Sequence, residues 1–260
     1  LRLSGVNVNN SSFDWTLLKS VSRSFYLTLR ILPGPVRESI ALAYLVARVS
    51  DTLADGAGTD AERELLARRG EIESWLAASP DRREIESVWA TIREGQHFDQ
   101  DRFSDAGAPP LSDQELEHYA YLVAGCVGEF WTRLCAKKLP GFASQGVGDM
   151  TALGIRFGKG LQLVNILRDR EADFAQGRIY VPAERFEKVL DDARAHLRAA
   201  RSYVRALKKY RLRVACTLPL SLAYETLDLI EGNPLATRAK VSRLRVWLLF
   251  ARAAVSSVRV

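Results

Sequence analysis

Three cysteines, one methionine and three histidines are all that this chain of 260 residues offers to thiol or soft-metal chemistry. Cys126, Cys135 and Cys216 have no C-x-x-C spacing and sit in apolar helical runs, which argues against a disulfide framework or a zinc site. Buried free thiols in a reducing cytosol are the expectation. His97, His118 and His196 are isolated from one another and from the cysteines. Long apolar runs are also missing. The N-terminal LRLSGVNVNNSS has no signal-peptide core, and the longest apolar stretch near the C-terminus, Val246–Val255, is broken by Arg252 and too short to span a bilayer. Period-two alternation of β-branched residues is scarce, so a sheet protein is not expected. Gly158-Lys159-Gly160 lacks Walker spacing, no G-x-G-x-x-G occurs, and no zinc-finger, helix-turn-helix or RNA-module signature is visible. The basic residues between Arg185 and Arg259 lack the aromatic interleaving of single-strand binders, so no nucleic-acid partner is expected.

What is present is an abundance of Ala, Leu, Arg and Glu, with 47% apolar residues. That composition predicts an all-α fold with a sizeable core. The formal charge of +6 suits an anionic partner such as phosphate or acidic lipid, or an indifferent basic surface. Residues 1–12 read as a loose tail and 13–260 as one helical domain without an internal linker. A first helix starts near Ser12–Asp14 and ends at Pro33-Gly34-Pro35. Further helices are expected over 40–55, 60–78, 82–97, from the Ser112/Glu115 capping box onward, and over 150–173, 183–208 and 212–231. A last one follows Gly232-Asn233-Pro234. Asp99–Pro110 and Leu139–Val147 read as loops. The small residues Ala120, Ala124, Gly125 and Gly128 suit either close helix packing or a wall that leaves room for a long apolar ligand.

The chemistry concentrates in LQLVNILRDREAD, residues 161–173. Asn165, Asp169 and Asp173 recur at steps of four and share one helix face over two turns. Carboxylates at that spacing repel by about 0.2–0.5 kcal/mol when uncompensated. A hard cation converts the repulsion into binding, and Mg²⁺ takes one or two carboxylates together with phosphate oxygens and water. Asp51 and Asp55 repeat the spacing at the end of a second apolar run (Ile40, Leu42, Leu45, Val46, Val49), and Arg48 and Arg168 lie beside the two pairs. Two such helices facing each other would suit a diphosphate held through cations and arginines.

Four motifs, VSRSF (21–25), YLVARVSDTLAD (44–55), YAYLVAGCVG (119–128) and QLVNILRDREADFAQGRIYVP (162–182), occur in the order seen in squalene and phytoene synthases. The chain resembles this family of head-to-head prenyl transferases over roughly residues 13–240. The resemblance implies a single-domain class I isoprenoid synthase helical bundle with a central cavity. It implies Asp51, Asp55, Asn165, Asp169 and Asp173 as Mg²⁺ ligands. It places Ser22, Arg23, Ser24, Arg48, Gln162, Asn165, Arg168, Arg178 and Tyr180 at the substrate. Tyr44, Arg48, Tyr119, Arg168 and Tyr224 fall at the reaction centre, with ordinary core packing as the alternative reading of each tyrosine. Leu45, Val49, Leu122, Val123, Val127 and Leu161 are candidates for an apolar lining.

The DTLAD motif and GKGLQLVNILRD resemble bacterial squalene synthases, whereas Tyr119 and Tyr121, with Leu122 before VAG, are placed as in the carotenoid branch. The implied reaction joins two farnesyl diphosphates through a cyclopropane into presqualene diphosphate, then reduces it with NADPH to squalene. Dehydrosqualene, phytoene or released presqualene diphosphate are the alternative products. NADPH enters through the resemblance alone. A cytoplasmic monomer in peripheral contact with the inner face of a membrane is the remaining expectation.

Overall fold

Asp14 accepts hydrogen bonds from the N–H groups of Thr16 (2.7 Å) and Leu17 (3.3 Å), and so starts helix α1, Trp15–Ser22. The structure is a computed structural model, and it describes residues 13–22, 25–105, 107–232 and 248–249, the side chains of Ala54 and Asp55 lying outside the described residues. After α1 come α2 (Phe25–Ile31) and, beyond the Pro33 break, α3 (Gly34–Asp55), which Gly56 closes at φ 82°. Thr59 and Glu62 form the capping box of α4 (Asp60–Ala67), and α5 (Arg69–Ala78) and α6 (Arg82–Arg102) follow. Ser112 and Glu115 form the expected capping box of α7 (Asp113–Ala120). One π turn, Tyr121–Gly125, joins α7 to α8 (Cys126–Lys138). The long α9 (Val147–Ala175), a 3₁₀ turn (Ala183–Arg185), α10 (Phe186–Ala206) and α11 (Tyr210–Gly232) complete the described chain. Among the described residues there is no strand, only a single bridge between Ala143 and Leu207.

The all-α reading holds, with three corrections. The helix expected over 60–78 is two, broken at Arg68, whose backbone leaves helical geometry. The first helix ends at Ser22 and a second begins at Phe25. The loop expected from Asp99 begins four residues later, because α6 continues to Arg102 and buries Asp99 against its neighbours. The final helix expected after Gly232 lies almost wholly outside the described residues.

The small residues of the π turn, α8 and α9 serve close packing. A Cβ on Gly128 would sit 1.9 Å from the Gly154 carbonyl oxygen, and one on Gly158 would sit 2.0 Å from that of Ala124. The backbones of α9 and of the π turn with α8 therefore touch, and no ligand wall is formed there. Gly160 performs the same service against Leu197 of α10. Gly158-Lys159-Gly160 is thus a packing seam within α9, which accounts for its loop-like composition inside a helix.

The contacts between elements close a ring. Helix α3 packs on α6, α6 on the π turn, the π turn on α9, α9 on α11, α11 on α2, and α2 on α3. Helices α3 and α9 themselves do not pack together, so the two aspartate-bearing helices stand on opposite sides of the ring. The end remote from the aspartates is tied by Asp81, 1% exposed, which accepts from Ser39 Oγ of α3 at 2.5 Å and pairs with Lys138 at the end of α8. The three cysteines are buried free thiols.

Candidate active site

The second aspartate column ends in a backbone turn that the sequence encodes. Gly177, at φ 77°, lets its own N–H reach the Phe174 carbonyl and the Arg178 N–H reach the Asp173 carbonyl, both at 2.9 Å. This Schellman motif stops α9 and folds the following residues back over its last turn. Arg178 then lies 3.3 Å from one carboxylate oxygen of Asp99, and the Tyr180 hydroxyl donates to the other. Tyr119 stacks on Tyr180 with ring centroids 5.3 Å apart, and Phe98 stacks on Tyr119 at 5.9 Å. Burial, followed by the Asp169 carboxylate, pushes Asp173 up to about 6, even though Arg178 and Arg168 work against the rise. Burial, reinforced by Asp99, likewise pushes the Tyr119 phenol well up, so it stays protonated at neutral pH. On the same helix the Arg168 guanidinium forks onto both oxygens of Asp169, at 3.0 and 2.5 Å.

Across the ring, Asp51 accepts from Gln96 Nε2 at 2.6 Å, and Gln96 Oε1 accepts from Ser50 at 2.8 Å. Arg48, one turn earlier, pairs with Glu62 at 2.5 Å, the residue that caps α4. Its Nε is buried with no hydrogen-bond acceptor among the described residues. A buried donor without an acceptor suits an incoming anionic oxygen. Tyr44 stacks on Phe25 at 5.5 Å and donates to the Val21 carbonyl at 3.2 Å, which ties α3 to the α1–α2 junction.

A cavity of about 310 Å³ lies between α2, α9 and α11, lined among others by Phe25, Leu161, Val164, Asn165, Arg168 and Leu218. Its lining is mostly apolar, with Thr28, Asn165, Arg168 and Thr226 as the polar members. Pro219 lies within α11 on its wall; a proline there leaves a backbone carbonyl one turn earlier without its helical partner. A second cavity, about 290 Å³, opens beside Asp173, Arg178 and Tyr180. Of the six apolar residues expected as lining, Leu161 borders the first cavity. Leu45, Val49 and Leu122 are core residues, Val123 packs toward Gly95, and Val127 is 36% exposed.

The structure thus gathers Tyr119, Asp173, Arg178 and Tyr180 into one cluster, with Asp169 and Arg168 a turn away, and sets Asp51 and Arg48 across the ring. Gln162 is half-buried on α9, one turn before Asn165. Ser22 is 2% exposed and turns its hydroxyl into its own helix, onto the Leu18 carbonyl at 2.6 Å. Tyr224 lies under the Arg201 guanidinium at 5.5 Å, about half a helical turn from the α11 residues that line the cavity. Arg23, Ser24 and the Asp55 side chain lie outside the described residues. Gln96 and Asp99, which hold both ends of the arrangement, escaped the sequence reading. Their i, i+3 spacing in EGQHFDQD was the available signal, lost by ending the helix before Asp99.

The donor set fits Mg²⁺. Asp51, Asp169, Asp173 and Asn165 offer hard oxygens only, and Asp173 is held against the like charge of Asp169 in a setting that a cation relieves. Among the described residues no three Asp, Glu, His or Cys side chains converge as a closed metal cage. Mg²⁺ is commonly held by one or two carboxylates together with phosphate oxygens and water, and a donor set of this kind would suit it.

Known structures share the helical fold. A ligand complex of TcSQS superposes with a TM-score of 0.78 at 20% identity, covering 94% of this chain and 88% of that one. A dehydrosqualene synthase complex gives 0.68 at 22% identity, covering 95% of each chain. These show the fold. The presqualene diphosphate synthase of Rhodopseudomonas palustris is 32% identical over 184 residues, 65% of this chain and 62% of that protein, so the match spans less than two thirds of the relative's length. The squalene/phytoene synthase family model matches residues 18–190 and 186–245, which takes in both aspartate columns, the Tyr119 motif and the Arg178–Tyr180 return. With the ring of helices and its opposed carboxylates already in place, that match makes this chain a member of the squalene/phytoene synthase family.

Proposed function

We propose that the chain joins two farnesyl diphosphates head to head in a Mg²⁺-dependent reaction, giving presqualene diphosphate and then, with NADPH, squalene. The observation that carries the condensation is the pair of aspartate-bearing helices on opposite sides of the ring, each with an arginine, with a mostly apolar cavity bordered by Asn165 and Arg168 of the second. Asp51, Asp55, Asn165, Asp169 and Asp173 would hold Mg²⁺, which supplies charge neutralisation for the diphosphates. Arg48, Arg168 and Arg178 bind the phosphate oxygens directly. As the first C–O bond breaks, its electron pair leaves on the diphosphate, and fixed guanidinium groups stabilise the charge that develops there. The allylic cation adds across the second molecule's double bond, a proton leaves, and one pyrophosphate is released. The Tyr180 ring, which borders the second cavity with Tyr119 stacked on one face, is an aromatic surface that favours positive charge. Leu161, Val164 and Leu218 keep water from the cation.

The reductive half rests on the resemblance. The residues around the two cavities include no glycine-rich turn of the dinucleotide-binding kind. A second reading ends at presqualene diphosphate, and the 32%-identical relative of that name favours it. Incubation of the pure chain with Mg²⁺ and farnesyl diphosphate, with and without NADPH, separates the two. Squalene that appears only with NADPH supports the full sequence. Presqualene diphosphate under both conditions supports the shorter one. Dehydrosqualene under both moves the chain to the carotenoid branch, and no condensed lipid under either refutes the reaction.

A further inference from the structure

One face of α6 touches both halves of the site, and nothing in the proposed chemistry uses it. Gln96 and Asp99, three residues apart, share that face. Gln96 holds Asp51 of α3, and Asp99 holds Arg178 and Tyr180, which flank Asp173 of α9. Asp99 is 8% exposed, and each of its carboxylate oxygens has a protein donor. A buried ion pair of this kind is a poor way to gain stability, since an apolar replacement of similar volume often serves as well. Its consequence is orientation: two donors on one fixed carboxylate cannot turn independently. Both donors are side chains that the proposed function sets at the diphosphate and at the cation.

We propose that Asp99 is a positioning residue of the diphosphate site, acting through Arg178 and Tyr180, with Gln96 holding Asp51 in the same frame. The inference rests on the proposed function in that Arg178 is taken to meet a diphosphate. Without Asp99, Arg178 remains present and charged but loses that anchor, so the site binds diphosphate more weakly while the fold persists.

The test is calorimetric binding of inorganic pyrophosphate with Mg²⁺ to the full chain and to Asp99→Asn, Arg178→Gln and the double variant, with a thermal melt of each. Asp99→Asn keeps the size of the side chain and an acceptor for Tyr180. Each single variant is expected to bind about 10- to 100-fold more weakly. The double variant is expected to bind no more weakly than Arg178→Gln alone, because both act through one guanidinium. Melting temperatures of Asp99→Asn and wild type should lie within a few degrees. A purely structural Asp99 would lower the melt and leave the pyrophosphate affinity of the folded protein intact, which would overturn the proposal. Losses that multiply in the double variant, or no binding by the wild type, would overturn it too. If Asp99→Asn fails to melt cooperatively, Tyr180→Phe takes its place: weaker binding that disappears in the Arg178→Gln background supports the proposal, and unchanged or multiplying losses refute it. A wild type that binds in this pattern yet yields no condensed lipid refutes the condensation reading and leaves the positioning role standing. A wild type that condenses farnesyl diphosphate while Asp99→Asn binds normally does the reverse.

Discussion

At the scale of single residues, the candidate site stores unfavourable charge that a bound cation would relieve. Asp173 has its pKa raised from 3.8 to about 6, first by burial and then by Asp169. A carboxylate raised in the folded state favours folding below about pH 3.8, and that contribution is lost as the pH climbs through 6. At pH 7 the metal-free protein therefore carries a penalty of about 1–3 kcal/mol, with partial exposure discounted. Replacing Asp173 by Asn is expected to raise the melting temperature at pH 7 by about 2–6 °C and to leave it unchanged near pH 4. The same variant should lose most of its response to Mg²⁺ and pyrophosphate. Circular-dichroism melts at the two pH values check this, and equal shifts at both would show that charge is not the cause. Asp173 was readable as a site candidate from sequence because i, i+4 spacing alone sets it beside Asp169. Asp99 was not: its partners are Arg178 and Tyr180, 79 and 81 positions further along.

At the scale of elements, the glycines of α9 decide how near its neighbours come. An alanine at Gly158 would place its Cβ 2.0 Å from the Ala124 carbonyl oxygen, an approach that backbone must move to relieve. Gly158→Ala is expected to destabilise by more than about 3 kcal/mol in urea unfolding, or to prevent folding. Gly70, near the start of α5, has nothing within 4 Å of the same position. Gly70→Ala should stabilise by about 0.4–1 kcal/mol, because only the unfolded chain loses freedom. Similar effects at the two sites would refute the packing account. The sequence offered both packing and a ligand wall for Ala120, Ala124, Gly125 and Gly128, since either needs small side chains. Only the facing backbone chooses. The π turn of Tyr121–Gly125 is a further case: no local residue demands it, yet Tyr119 stacks in the site while Tyr121 bonds Glu129 on the outer face.

For the whole molecule, the ring of helices explains how a site can be assembled from two segments more than a hundred residues apart that never pack together. Its halves are held by their own partners, Gln96 for Asp51 and Arg168 for Asp169. A ligand that spans both should then tighten the ring as a unit. Mg²⁺ with pyrophosphate at a hundredfold excess over the dissociation constant is expected to add about 2.7 kcal/mol of stability, seen as a rise in melting temperature. Mg²⁺ alone should give a smaller rise, because it lacks the bridging oxygens. An equal rise with Mg²⁺ alone would mean that the cation is caged by protein. Among the described residues no helix is long and apolar enough to cross a membrane.

The sequence by itself determined the helical class, most helix ends and the spacing of both aspartate columns. These follow from periodicity, caps and backbone freedom, all of which act within a few residues. Only the tertiary structure decided that α6 runs through Asp99 and holds both halves of the site. It also set Tyr224 under Arg201 and made the small-residue seam a contact between backbones. Those outcomes depend on which groups meet across the ring, and pairing of that kind has no local periodicity to announce it.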